Sequence, residues 1–182
     1  MAEEGPGSAS ETGPRVTRRM VIGVTGLLGM MAVGGVGLRI ASWYDRDPST
    51  GFACLESGEA ELLDALAEAW FPPGGTPALS GAEAGVAAYL DELFSMMDEP
   101  TPSLLRTLLH AIDDWSRLAH GGPFALLPLK ERTELLKGWT GSDNHLLRGA
   151  IGGLGTFIAT AYTGHPEVKK ACGWQFPCGY ER

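Results

Sequence analysis

The sequence lacks most of the patterns that mark redox sites, metal sites and nucleic-acid surfaces. Its three cysteines form no Cys-x-x-Cys pair, which excludes a thioredoxin-like site and a haem attachment site. None of its four histidines follows a glutamate by three positions, as the ligands of a carboxylate-bridged di-iron bundle would. No run of lysine or arginine follows residue 41, and the net charge is −8. Because a phosphate backbone requires a basic surface, nucleic-acid binding is excluded.

Valine and isoleucine are also scarce after residue 41, and no segment alternates between apolar and polar residues for long enough to predict a strand. Leucine and alanine dominate instead, and from about residue 55 the apolar residues recur with the helical period. The sequence therefore predicts an all-α fold, a compact domain of about five helices after an N-terminal signal or anchor helix. Trp70, Trp115 and Trp139 lie on apolar stripes and are predicted to be core residues.

The first helices are delimited by local signals. Pro72 and Pro73 end the first apolar stripe, and Ser80 with Glu83 forms a capping-box pattern that predicts the start of the second helix. Further helices are expected from Thr101, from Pro128 and from about Asp143 to Tyr162, with a short turn from Pro166 and an irregular tail.

The N-terminus has the features of an export signal. A polar segment is followed by the pair Arg18-Arg19 and by a moderately apolar, glycine-rich stretch from Met20 to Leu38. This order is typical of a twin-arginine signal, in which Arg18 and Arg19 are the targeting residues. The alternative is a membrane anchor, since these 19 residues span about 28 Å as a helix. Both interpretations place residues 42–182 outside the cytoplasm and divide the chain into residues 1–41 and 42–182.

Two polar groupings in the helices could have a function. His110, Asp113 and Asp114 share a helical face and could form an acid/base pair, although a solvated or partner-facing polar edge is the favoured interpretation. An acidic flank lies beside the first apolar stripe and is interpreted as the solvent face of an amphipathic helix. Its members are Glu59, Glu61, Asp64 and Glu68. Gly149 and Gly153 share a face and predict a close approach of helices or subunits.

An odd number of cysteines in an exported protein predicts one internal bridge and one remaining thiol. Cys172 and Cys178 could close a short loop, or Cys54 could bond either of them and leave a thiol for a partner. A zinc site at Cys172 and Cys178 with His165 is the weaker alternative. Trp174 and Phe176 lie in the same glycine- and proline-rich tail and are candidate partner contacts.

The order of these features resembles the gluconate 2-dehydrogenase subunit 3 family, also called the small or gamma subunit. The resemblance covers roughly residues 15–175 and includes the Arg18-Arg19 signal and the aromatic-Pro pair Phe71-Pro72. It also includes two longer segments, Phe124-x-x-Leu127 followed by Glu131-Arg132-x-x-Leu135-Leu136-x-x-Trp139, and Tyr162-x-x-His165-Pro166-Glu167-Val168 followed by Cys172-Gly173-Trp174.

This resemblance implies a non-catalytic small subunit with no cofactor of its own. Members of the family resemble partners of a large FAD-dependent flavoprotein of the glucose–methanol–choline type, which is exported as a passenger on the small subunit through the twin-arginine translocon. A cytochrome c subunit often completes the complex on the periplasmic side of the inner membrane. No catalytic residue is implied for this chain. The alternatives are a stand-alone membrane-anchored helical binding module and a small enzyme that uses the His110 face.

Overall fold

The computed structural model describes residues 48–98 and 100–174 of the chain. These residues form six α-helices and one 3-10 turn, Phe124–Leu126, and no strand occurs among them. The all-α prediction is confirmed: the five expected helices are present, and the turn expected at Pro166 is a sixth, short helix. In chain order the helices are α1 (Ser57–Trp70), α2 (Val86–Ser95), α3 (Thr101–His120), α4 (Leu129–Thr140), α5 (His145–Gly164) and α6 (Pro166–Ala171).

Helix α1 lies at the centre of the domain and contacts α2, α3, α4 and α5. Its alanines and leucines are buried on several sides, which explains why so much of this helix is apolar. The largest fully buried side chains come from α1, α2, α3, α5, α6 and the segments between them, and α4 adds the nearly buried Leu136, so the helices share one core. These side chains are Phe94, Phe124, Leu55, Leu63, Leu66, Leu90, Leu109, Ile151, Leu154, Ile158, Val86 and Val168.

The predicted capping box forms, but not at the start of a helix. The Ser80 backbone N–H donates to Glu83 Oε2 over 2.8 Å, and the Glu83 N–H donates to Ser80 Oγ over 3.2 Å. Gly85 then adopts a φ of +68°, which interrupts the turn, and α2 begins only at Val86. The pair therefore closes the loop that precedes α2.

Helix α3 packs on the core through Leu105, Leu109, Ile112 and Ser116, which are all buried. The prediction that Trp115 is a core residue was wrong, because its side chain is 57% exposed. It precedes the buried Ser116 by one position, so the helical rotation turns it away from α1. Trp70 and Trp139 are half-buried at the edge of the core.

None of the helices in the described ranges is both long and apolar enough to cross a membrane. The segment from Met20 to Leu38 lies outside the described residues, as do Arg18 and Arg19.

Candidate docking surface and its polar supports

A buried carboxylate joins α1 to α3. Glu59, in the first turn of α1, is 3% exposed and accepts hydrogen bonds from three sides. Arg106 Nε donates to Glu59 Oε1 over 2.9 Å, and His110 Nε2 lies 2.9 Å from the same oxygen. The backbone N–H of Glu56 donates to Glu59 Oε2, also over 2.9 Å. Because two of these donors are on α3, the cluster fixes the face that α3 presents to α1.

These contacts control the ionisation of Glu59. Burial by itself raises the pKa of a carboxyl group, but hydrogen bonds from His110, Arg106 and the Glu56 backbone outweigh that effect and lower the pKa of Glu59. Glu59 is therefore an anion at neutral pH and an acceptor for Arg106. It is held in place by the fold, with its oxygens already occupied by donors of the same domain.

Asp91 of α2 fixes the segment that precedes α1, as Glu59 fixes α3. Its carboxylate accepts from the backbone N–H groups of Ala53, Cys54 and Leu55 over 2.6, 2.9 and 2.8 Å. Burial raises the pKa of Asp91, but these backbone donors outweigh it and the net pKa is lowered. Burial, followed by the hydrogen bond to Asp91, raises the pKa of the Cys54 thiol to about 12. The thiolate is thus strongly disfavoured at neutral pH, which makes Cys54 a poor nucleophile.

A buried arginine of α4 connects that helix to α1. Arg132 Nη1 donates to the Ala65 carbonyl over 2.8 Å, and Arg132 Nη2 contacts Glu68 Oε2 at 2.6 Å. The arginine side chain is 9% exposed, so its charge is neutralised inside the domain. Arg132 belongs to a segment that suggested the family resemblance, and the structure gives it this packing contact.

The interpretation of the acidic flank of α1 as a solvent face was wrong for three of its four members. Glu59 is buried, Asp64 is half-buried with its Oδ1 3.4 Å from the Ala87 N–H, and Glu68 pairs with Arg132. Only Glu61 is exposed. The central position of α1 explains the difference, since a helix contacted on several sides has little solvent face.

His110 and Asp113, the candidate acid/base pair on α3, contact different residues. His110 contacts Glu59, while Asp113 Oδ2 accepts from Arg117 Nε over 2.8 Å and Asp113 Oδ1 accepts from the Phe124 N–H over 3.1 Å. Asp114 is half-buried. His110 and Asp113 therefore hold α3 to α1 and to the following 3-10 turn, and His110 faces the core rather than a solvated edge.

An apolar groove lies between α3, α4 and the first turns of α5. It encloses about 350 Å³ and its lining has one polar residue, Asn144. The side-chain oxygen of Asn144 already caps α5 by accepting from the N–H groups of Leu146 and Leu147 over 3.0 and 3.3 Å. The remaining lining residues are Leu108, Ala111, Ile112, Trp115, Trp139, Leu147 and Ile151.

The groove continues onto a second apolar stripe of α3, which we call the outer face of α3: Leu104, Leu108, Ala111, Trp115 and Leu118. Leu104 and Leu118 are 66% and 86% exposed, and neither is needed for the core. Sequence reasoning assigned Trp115 to the core and did not identify Ala111 and Leu118 as part of an apolar face. The sequence did contain a signal: α3 has two adjacent apolar stripes, and one contact with the core can bury only one of them.

The cysteine and tail residues were also predicted as sites. Cys54 and Cys172 are both free thiols, so no disulfide joins them within the described residues. The pairings that involve Cys178 stay predictions. Cys54 is instead directed at Asp91, and Cys172 is exposed just after α6. Trp174 is 49% exposed, and its role as a partner contact stays a prediction, whereas Phe176 and Cys178 lie outside the described residues.

The weaker zinc alternative and the predicted glycine packing are the remaining points from the sequence. Within residues 48–98 and 100–174, no group of three or more His, Cys, Asp or Glu side chains is arranged to hold a metal ion. His165 caps α6, its Nδ1 lying 3.3 Å from the Glu167 N–H. Among the described residues, Gly149 and Gly153 approach no other element, and the close approach on α5 is at Gly155, against the Trp70 ring.

Comparison with known proteins gives one match. No curated protein and no solved structure matches the chain. A family model described as gluconate 2-dehydrogenase subunit 3 matches residues 57–177, a range that begins at the first residue of α1 and includes all six helices. The match covers most of the chain and agrees with the resemblance seen in its motifs. The chain therefore belongs to the gluconate 2-dehydrogenase subunit 3 family, whose members are subunits of a dehydrogenase complex.

Proposed function

We propose that this chain is the non-catalytic small subunit of a dehydrogenase complex, and that it supports the export, folding and docking of a large FAD-dependent subunit of the glucose–methanol–choline type. In this proposal FAD and the oxidation chemistry belong to the large subunit. The small subunit supplies an export signal and a preformed helical surface.

The observation that supports docking is the contrast between charges that have internal partners and an apolar groove that no other described residue covers. Glu59, Asp91 and Arg132 each have partners inside the domain, so these charges need no contact with a second protein. The groove beside Trp115 is apolar and open to solvent. Apolar surface of this kind on a soluble domain marks a protein–protein contact, and the family is one of subunits.

Export follows from the N-terminal segment. Arg18 and Arg19 form the twin-arginine pair, and this route carries proteins that are already folded. A large subunit bound in the cytoplasm would cross the membrane together with this chain on its single signal. The complex would then lie on the periplasmic side of the inner membrane, with a cytochrome c subunit as a further member.

The subunit assignment is tested by purification from the native host. The full chain would be tagged at its C-terminus, isolated from the membrane and periplasmic fractions, and its co-eluting proteins identified by mass spectrometry. We expect a stoichiometric flavoprotein that has no signal of its own. If the chain elutes alone from the membrane fraction, the assignment is wrong and the chain is a membrane-anchored binding module.

The export role is tested by changing Arg18 and Arg19 together to Lys. We expect both this chain and the flavoprotein to remain in the cytoplasm, since the pair is what the translocon recognises. Arg15→Lys is the matched control, because it makes the same change next to the pair and should leave export intact. Normal periplasmic flavoprotein in the double variant would contradict the shared-signal mechanism.

A further inference from the structure

We propose that the apolar groove and the outer face of α3 together receive one amphipathic helix of the large flavoprotein subunit. The inference rests on the proposed function, because it names the surface and the element through which the two subunits meet. Three observations support it: the spacing of the exposed residues on α3, the extent of the surface beyond the groove, and its apolar area.

The outer face of α3 has the spacing of a helix-packing seam. Its residues follow one another at intervals of four, three, four and three positions, the repeat with which two helices pack side by side over several turns. The buried stripe of α3 has intervals of four, three and four, and it packs on α1. The same helix therefore presents two seams, of which only one is covered within the described residues.

The seam is longer than the groove. From Leu104 to Leu118 it includes 15 residues, and the 14 steps between them cover about 21 Å along the helix axis. A compact small molecule would fill the space beside Trp115 and leave Leu104 and Leu118 in water, since these lie one turn beyond either end of the α3 lining. A partner helix of about four turns covers the whole length. One row of its side chains lies in the groove, between α3 on one side and Trp139 and Leu147 on the other.

The apolar area matches a standard interface. Leu104, Leu118 and Trp115 expose on the order of 300 Å² of apolar surface, taking about 100 Å² per leucine and about 200 Å² per tryptophan and scaling each by its exposed fraction. The half-buried Leu108, Trp139 and Leu147 add to this. A stable interface buries about 800 Å² per partner, of which about 450 Å² is apolar. The groove and the outer face of α3 thus supply most of that requirement.

Charge favours a different protein over a second copy of this chain. Residues 41–182 contain 10 lysines and arginines against 19 aspartates and glutamates, a net charge of −9. Two copies would approach each other against this like charge, whereas a less acidic partner would not. The occupant is therefore assigned to the large subunit.

Ala111→Arg tests the surface directly. Ala111 is exposed at the centre of the seam, and arginine is a good helix former, so the variant should fold while its side chain blocks the groove. Ala88→Arg is the matched control, because Ala88 is exposed on α2, which contributes no residue to the groove. Each full-length chain would be tagged and purified from the native host, and the FAD that co-elutes per chain measured by absorbance.

We expect at least a tenfold loss of co-eluting FAD for Ala111→Arg and a change within twofold for Ala88→Arg. Retention of the flavoprotein by Ala111→Arg would overturn the surface assignment while leaving the subunit assignment intact. Absence of the flavoprotein from the unaltered chain would overturn both. Should Ala111→Arg fold poorly by circular dichroism, Leu118→Arg with Met96→Arg as its control repeats the comparison at two highly exposed apolar positions.

The kind of element is tested by placing a photo-cross-linking amino acid at position 111. Cross-links to one segment of the large subunit whose apolar residues recur every three to four positions would support a docked helix. Cross-links to a segment without that repeat, to a second copy of this chain, or to an apolar small molecule would overturn it.

Discussion

The two sides of α3 have the same residue spacing and opposite surroundings. On the side that faces α1, Leu105, Leu109 and Ile112 are buried, and the cluster around Glu59 fixes the orientation of the helix. On the outer face, Leu104 and Leu118 are exposed beside an open groove. Apolar periodicity therefore identifies surfaces that pack, but it does not say whether the packing partner is part of the same chain.

The two sides of α3 differ in their polar residues, although both have leucines at the same spacing. The inner side has Arg106 and His110 directed at a buried acceptor, which requires α1 to be present. The outer face of α3 has no charged member, so no charge on it requires a partner from another helix. If this distinction is correct, breaking the inner side should unfold the domain, and breaking the outer face should affect only docking.

Glu59→Ala should give the largest effect. The change removes the shared acceptor of Arg106 and His110 and leaves the partly buried Arg106 with only its longer, 3.6 Å contact to Glu56. Breaking a buried ion pair in this way costs about 3–5 kcal/mol. The measurement is the free energy of unfolding from urea denaturation at neutral pH. A loss below about 1 kcal/mol would show that the cluster does not hold α3 to α1.

The matched control for this prediction is Glu61→Ala. Glu61 is on the same helix but exposed. Its replacement should change the free energy of unfolding by no more than about 0.5 kcal/mol.

Leu109→Ala and Leu118→Ala compare the two sides with one residue type on one helix. Leu109 is fully buried, so its truncation should cost about 3 kcal/mol through lost burial and the cavity that remains. Leu118 is 86% exposed, and its truncation should cost less than about 0.5 kcal/mol. Both values come from urea denaturation of the purified chain. Similar losses in the two variants would mean that the outer face of α3 is part of the core.

The sequence permitted the helices to be predicted but not which side of each faces the core. Leucine spacing and the Pro72 break placed the five longer helices, although α2 begins at Val86 and not at the predicted capping box. The turn expected from Pro166 is the short helix α6. Trp115 was assigned to the core because aromatic residues on a stripe usually are, and the adjacent stripe at Leu105 and Leu109 competed for the same role. Glu59 was assigned to solvent, since nothing local indicates that residues 47 and 51 positions later, Arg106 and His110, will reach it. Long-range pairing of this kind is a property of the assembled fold.

Asp91→Asn should have an intermediate effect that depends on pH. The folded pKa of Asp91 is lowered, so its ionised form stabilises the domain above the ordinary pKa of about 3.9, and that contribution is lost as the pH falls through the folded value. Replacing the charged acceptor should cost about 1.5–3 kcal/mol at pH 7. The difference between the variant and the unaltered chain should then shrink as the pH falls below about 4. Thermal or urea unfolding across pH 3–7 measures it, and a difference independent of pH would contradict a role for the ionised carboxylate.

The smallest predicted effect comes from Asp64. Its comparison with Glu59 tests whether a carboxylate of α1 stabilises the domain only when it accepts enough hydrogen bonds. Glu59 accepts from three sides, whereas Asp64 accepts one long hydrogen bond from the Ala87 N–H, and burial raises its pKa. A raised folded pKa means that ionised Asp64 opposes folding at neutral pH. Asp64→Asn keeps the acceptor oxygen and removes the charge, so it should stabilise the domain by about 0.5 kcal/mol at pH 7. The gain should vanish below the ordinary pKa, where Asp64 is neutral in both states. A loss of stability at pH 7 would instead show that the Asp64 charge supports the contact between α1 and α2.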